Sequence, residues 1–454
     1  MPRNAKIAVW TSTVALALLA ACGGKESAEP EGAAKSPNGE TQQQPQPQTQ
    51  TDIRSSFAEL NVFSRSGDSV ESFDERFGNA IRSKFPNYKI NYIRAQKGSM
   101  LEDLLAAGTT IDLYFDSIGN FADGLLKNKM EYDMSELIKQ KQIDLNRFEP
   151  SLIDAMRYIS NGKIYGLPVY TNNLVLFYNK SVFDNFGIEH PKDGMTWDEA
   201  IELAKKLNRK DGDKQYLGLA VSPTHMLRMN QLSLPYVDPQ TDKATINTDP
   251  RWKQLYNATM IDPAQDAGYR EAVGQLKNAL PSRLAFHNDQ YLGMYVFLSQ
   301  LPFTVTPEMS KVNWDMVSLP TFKELPGIGS QSYPTYFSVT NMSKAKEAAM
   351  EVIQFLISDE FQLALSSKGT MPVLNNDAVK KAFGRDTVFK GKNFAAVFYN
   401  KFAPIAPKSV YDGAVEPAYI KDIGLMIRGE IDINTAFRTA EEAANKAIEE
   451  MKSR

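Results

Sequence analysis

The chain has 454 residues, 43% hydrophobic and 23% charged, an ordinary globular balance with room for two or three domains. Its net charge of −3 argues against a general affinity for nucleic acid or anionic lipid; Arg3 and Lys6 contribute +2 near the N-terminus, so the remainder carries −5. The single cysteine, Cys22, excludes an internal disulfide and any cysteine-based zinc site.

Arg3 and Lys6 precede an apolar run over 7–21. The run falls short of the roughly 20 residues a membrane-spanning helix needs and has the length of a signal-peptide core. It ends in Leu19-Ala20-Ala21-Cys22, which resembles the bacterial lipobox. The resemblance implies cleavage before Cys22, lipid on its sulfur, and retention at the outer face of the cell membrane. Residues 22–52, with TQQQPQPQTQT at 41–51, have almost nothing apolar to bury and read as a disordered tether.

The folded body begins near Phe57. A strand is expected over 58–64, then a helix over 70–85 with Val70, Phe73, Phe77 and Ile81 on one face. A strand follows over 88–93, a short helix over 100–107 and a strand over 111–115. Residues 174–178 (LVLFY) form a β-prone run. Residues 197–207 form an amphipathic helix with Thr196 as N-cap. Helices are expected over 345–357, capped by Ser343, and over 431–451. Strands alternating with helices indicate an α/β fold with a mostly parallel sheet.

Familiar catalytic signatures are missing. His190, His225 and His287 lack metal-ligand spacing and read as surface or loop residues. The sequence has no nucleophile elbow and no phosphate loop. Asn208, Asp211 and Asp213 around Gly212 depart from a calcium loop and read as a turn. Carboxylate pairs for glycoside hydrolysis leave no spacing signature.

What recurs is Tyr, Asn, Ser or Asp at expected strand ends: Ser64-Arg65-Ser66-Gly67, Asp116-Ser117, Tyr170 to Asn173, Asn288-Asp289 with Tyr291, and Ser330 to Tyr333. Open α/β folds place ligand sites beyond strand ends, and aromatic faces with amides suit a sugar.

GKIYGLPVYTNNLVLFYNKSVFDNFGI (162–188) and MTWDEAIELAKKL (195–207) resemble the hallmark segment of extracellular solute-binding proteins, family 1, the maltose-binding-protein-like receptors of ABC importers. SRLAFHNDQYLGMY (282–295), MVSLPTFK (316–323), the segment 349–374 and the C-terminal helix extend the resemblance over 57–454.

The resemblance implies a two-lobed periplasmic-binding-protein-like (type II) α/β fold with a hinge and an interlobe ligand cleft. Lobe 1 would comprise 57–169 and 335–371, and lobe 2 would comprise 174–333 and 374–454. The hinge crossings would fall at 170–173, 333–335 and 371–374. Asn172 stands where the maltose receptor has an acidic ligand residue, with Tyr170 beside it. Tyr291 stands where the family commonly has a Trp under a sugar ring, preceded by Asn288 and Asp289. Asp116, Ser117 and Ser66 would face the cleft, Ser332 is a further candidate ligand residue, and Tyr411, another, lies near a C-terminal aromatic position.

The expected function is a monomeric lipoprotein receptor that binds a small polar ligand, most readily a mono- or oligosaccharide, and passes it to ABC permease subunits. It would use no cofactor, metal, nucleic acid or catalysis. The alternatives are a surface glycosidase or lyase, and a ligand-presenting partner of a sensor kinase.

Overall fold

The computed structural model describes residues 57–453. The expected leader, the lipidated Cys22 and the tether lie outside the described residues.

The first lobe is built on a five-stranded sheet. Its strands are β1 (Ala58–Ser64), β2 (Tyr88–Arg94), β3 (Leu113–Ser117), β4 (Leu167–Tyr170) and a late arrival, β11 (Thr335–Val339). The spatial order is β2-β1-β3-β11-β4. β1 runs parallel to β2 and β3, whereas β11 enters antiparallel between β3 and β4. Side chains alternate across this sheet, so helices must cover both faces. Phe337 stacks on Phe115 at 4.6 Å and meets Phe77 edge-on at 5.1 Å. Its neighbour Tyr336 points the other way, against Phe121.

The helical run expected over 70–85 forms as Val70–Phe73, a π-helical turn Asp74–Gly78, and Asn79–Lys84. Phe73, Phe77 and Ile81 are buried as expected, but Val70 is exposed. The strand expected at 111 begins instead at Leu113. The Asp112 carboxylate takes the Asn61 N–H at 3.0 Å, replacing a ladder bond with a side-chain one. Ser343 is not the N-cap of the following helix, Lys346–Leu356. It accepts from the Ala345 N–H and donates to Asp112 instead.

The second lobe has its own five-stranded sheet of β5 (Leu174–Asn179), β6 (Arg209–Asp211), β7 (Lys214–Val221), β8 (Leu292–Leu298) and β9 (Trp314–Ser318), ordered β6-β7-β8-β5-β9. β7 and β8 are parallel, and β5 runs antiparallel to β8 and β9. A parallel pair, β10 (Ile328–Gln331) with β12 (Lys401–Ala403), lies outside that sheet. Gly212, with a positive φ of 58°, turns β6 into β7, and this is the turn the sequence indicated.

Each sheet lies in a separate apolar cluster. The chain passes between them at three places. Thr171 bridges Met371, the Tyr333 N–H donates to Asn172 O, and the Leu174 N–H donates to the Ser330 hydroxyl. No helix among the described residues is long and apolar enough to cross a membrane.

Candidate functional site

Strand register fixes which sheet edges meet. In the first lobe the C-terminal ends of β1, β3 and β4 lie together with the start of β11, because Thr335 pairs with both Ser117 and Tyr170. In the second lobe the start of β5 pairs with the ends of β8 (Leu174 with Leu298) and β9 (Val175 with Ser318). These two edges flank the crossings, so side chains following those strand ends line the space between the lobes.

The first lobe contributes the helix Ile118–Phe121, which follows β3 directly. Asp116 is buried. Its carboxylate accepts from the Tyr114 hydroxyl (3.0 Å), the Ser117 N–H (2.8 Å) and Asn120 Nδ2 (3.1 Å). Burial pushes its pKa up. It therefore holds Asn120, which is exposed toward the second lobe. The Ser117 side chain lies beside the Tyr333 hydroxyl.

The second lobe contributes the helices Pro223–Arg228, after β7, and Asp412–Ile420. The latter packs against Ile118–Phe121 across the gap. Asp412 and Glu416 are one turn apart and share a face. Glu416 accepts from Arg228 Nε, from Arg228 Nη2 at 2.9 Å and from the Tyr236 hydroxyl at 3.2 Å. Burial penalises the Arg228 cation, but the Glu416 contact outweighs it and raises its pKa. Lys408 Nζ donates to Arg228 O at 3.2 Å, and its pKa is lowered, mainly by burial. Burial raises Asp412 to about 6, and its Oδ1 has no hydrogen-bond partner among the described residues.

Gly119, Asn120, Arg228, Tyr236, Tyr333, Lys408, Asp412, Gly413 and Glu416 enclose a cavity of about 30 Å³. In this arrangement it has room for about two waters, so a larger ligand reaches these groups only when the lobes part.

The remaining expected residues divide. Ser66 is exposed in the turn after β1, on the correct edge, and its N–H donates to Ser64 Oγ. Asn172 and Ser332 are buried in the hinge. Asn172 Oδ1 accepts from the Ser299 hydroxyl at 3.0 Å, and Ser332 Oγ lies 3.3 Å from Ser151 Oγ. Tyr170 ends β4, with its hydroxyl accepting from Arg76 at 3.3 Å. Tyr411 adjoins Asp412 in sequence, but its ring lies under the Lys452 ammonium, 5.7 Å away.

Asn288, Asp289 and Tyr291 are not brought to this site. They precede β8, whereas the hinge lies at its far end, about 20 Å along the strand. Asn288 contacts His287, and the Asp289 carbonyl accepts from Lys214. The hinge end of β8 carries Phe297, Leu298 and Ser299 instead. The histidines also differ from expectation: His287 is buried in a helix, and His225 is partly buried on Pro223–Arg228. Burial lowers His225 to about 4. Arg228, Tyr236, Lys408, Asp412 and Glu416 escaped the sequence reading. The one local signal was the four-residue spacing of Asp412 and Glu416.

Known proteins share this architecture. A Rhizobium etli sugar transporter in an open conformation superposes with a TM-score of 0.68 at 19% identity, covering 85% of this chain and 99% of that one. A Listeria monocytogenes ABC substrate-binding protein in complex with cycloalternan gives a TM-score of 0.65 at 19% identity, covering 87% and 99%. The arabinooligosaccharide-binding protein of Bacillus subtilis is 27% identical over 202 residues, 41% of this chain and 45% of that protein. The model of the bacterial extracellular solute-binding protein family matches residues 66–363, and the chain belongs to that family of two-lobed binding proteins.

Proposed function

We propose that the chain is a monomeric, lipid-anchored receptor for a mono- or oligosaccharide, which it delivers to ABC permease subunits by lobe closure without catalysis or a cofactor. Lobe 1 (57–169 with 335–371) and lobe 2 (174–333 with 374–454) close about the hinge, and Cys22 carries the lipid at the outer membrane face. The observation that carries this reading is the polar cluster where Asn120, Tyr333, Arg228, Lys408 and Asp412 converge from both lobes and the hinge. Hydroxyl groups both donate and accept, so a sugar satisfies cations and a carboxylate in one cleft. That the similar proteins include a sugar transporter, a cycloalternan complex and an arabinooligosaccharide-binding protein supports the same reading. A glycosidase would draw on Asp412 and Glu416, yet both Glu416 oxygens are engaged by Arg228.

The test is thermal denaturation with mannobiose, arabinotriose, maltotriose, D-mannitol, amino acids and polyamines, with chromatography for products. Stabilisation by a saccharide without turnover is expected. A shift from an amino acid or polyamine alone overturns the sugar assignment, and product formation overturns the receptor. Cys22→Ser should release the protein from membranes.

A further inference from the structure

Two groups in the interlobe cavity retain unused hydrogen-bonding capacity. The Lys408 ammonium has three donors and spends one on Arg228 O. Asp412 is 7% exposed, and its Oδ1 is without a partner among the described residues. Glu416, one turn further on, is consumed by Arg228 and Tyr236. The cavity thus offers one open acceptor beside one open cation.

A cationic ligand group would meet Arg228 and Lys408 there. An anionic one would meet Asp412 and Glu416. Neighbouring hydroxyls fit both, because one can donate while the next accepts.

We infer that Asp412 and Lys408 form a diol grip: one ligand hydroxyl donates to Asp412 Oδ1, its neighbour accepts from Lys408 Nζ, and the grip requires Asp412 as a carboxylate. This rests on the receptor reading above. The groups facing Asp412 are Lys408 from the preceding loop, Glu416 on its own helix, Arg228 from Pro223–Arg228, and the hydroxyls of Tyr236, Tyr333 and Tyr419. Burial raises the carboxyl to about 6, against the pull of Lys408 and the Ser409 backbone contact. Protonation turns the acceptor into a donor, so ligand affinity falls as pH falls through that value.

The test is calorimetric titration of the full chain with mannobiose, arabinotriose, maltotriose and D-mannitol at pH 5 and pH 7. For whichever probe binds, affinity should be about tenfold weaker at pH 5, since a proton on a group titrating near 6 occupies most of it there. Asp412→Ala should weaken binding at least tenfold at pH 7 and abolish the pH dependence. Lys408→Met should weaken binding at both pH values and keep a pH dependence, with its midpoint moved upward because the Lys408 charge no longer holds the Asp412 carboxyl down. Equal wild-type affinity at pH 5 and pH 7, or undiminished affinity in Asp412→Ala, overturns the grip and leaves the receptor standing. No binding of any of the four probes overturns both.

Discussion

At position 119 the lobes meet so closely that a side chain does not fit. A Cβ there would lie 2.0 Å from the Tyr333 hydroxyl oxygen and 3.1 Å from its Cζ. The backbone of Gly119 is ordinary, so the requirement is space and not conformation. The Ile118 N–H donates to Pro334 O at 2.9 Å, which ties the hinge to the end of β3. Gly119→Ala should push the helix Ile118–Phe121 off Tyr333 and disfavour this lobe arrangement. Overpacking costs about 1–3 kcal/mol. If ligand binding uses this arrangement, saccharide affinity should drop roughly 5- to 150-fold. Titration against the wild type measures the drop, and unchanged affinity would mean the loaded protein keeps position 119 clear of Tyr333.

Among the elements, the helix Trp197–Leu207 was the most legible, because its signals are local. Thr196 Oγ1 accepts from the Glu199 N–H and Glu199 Oε2 accepts from the Thr196 N–H at 2.7 Å, a reciprocal cap written in four consecutive residues. Thr196→Ala should cost about 1 kcal/mol, visible as a lower urea midpoint with an unchanged slope. Alternation likewise marks β2, and the apolar run marks β5. The π-helical turn at Asp74–Gly78 has no such signature, because it changes the hydrogen-bond register without changing which residues face the core. The sheet edge that meets the hinge was harder to read for a different reason. A polar cluster beside a strand can precede it or follow it, and only strand direction says which end meets the hinge. Asn288, Asp289 and Tyr291 precede β8 and so fall at the edge away from the hinge. Arg228 and Glu416 are 188 positions apart, so no local pattern could pair them.

Across the whole molecule, the interlobe site works against the stability of the fold that holds it. The Asp412 carboxyl titrates near 6 in the folded protein and near 3.8 when unfolded, with burial as the leading cause. Its folded pKa is raised, so between those values the native state binds the extra proton, and stability falls as pH rises through the window. Above pH 6 the full penalty is present, on the order of 3 kcal/mol; below 3.8 it is gone. His225 acts in the opposite sense. Burial holds it near 4 against an ordinary 6.5, so its contribution is lost as pH falls from 6.5 toward 4. The two terms offset each other over much of the same range, and comparison of variants separates them. Asp412→Asn removes the buried carboxylate but keeps the shape. At pH 7.5 it should unfold at higher urea than the wild type, by an amount worth about 1–3 kcal/mol, and the advantage should vanish by pH 4. Urea melts of both proteins at the two pH values measure this. A variant no more stable at pH 7.5 than the wild type would mean that the carboxylate finds compensation in the folded chain, and that the open acceptor at the lobe interface carries no strain for a ligand to relieve.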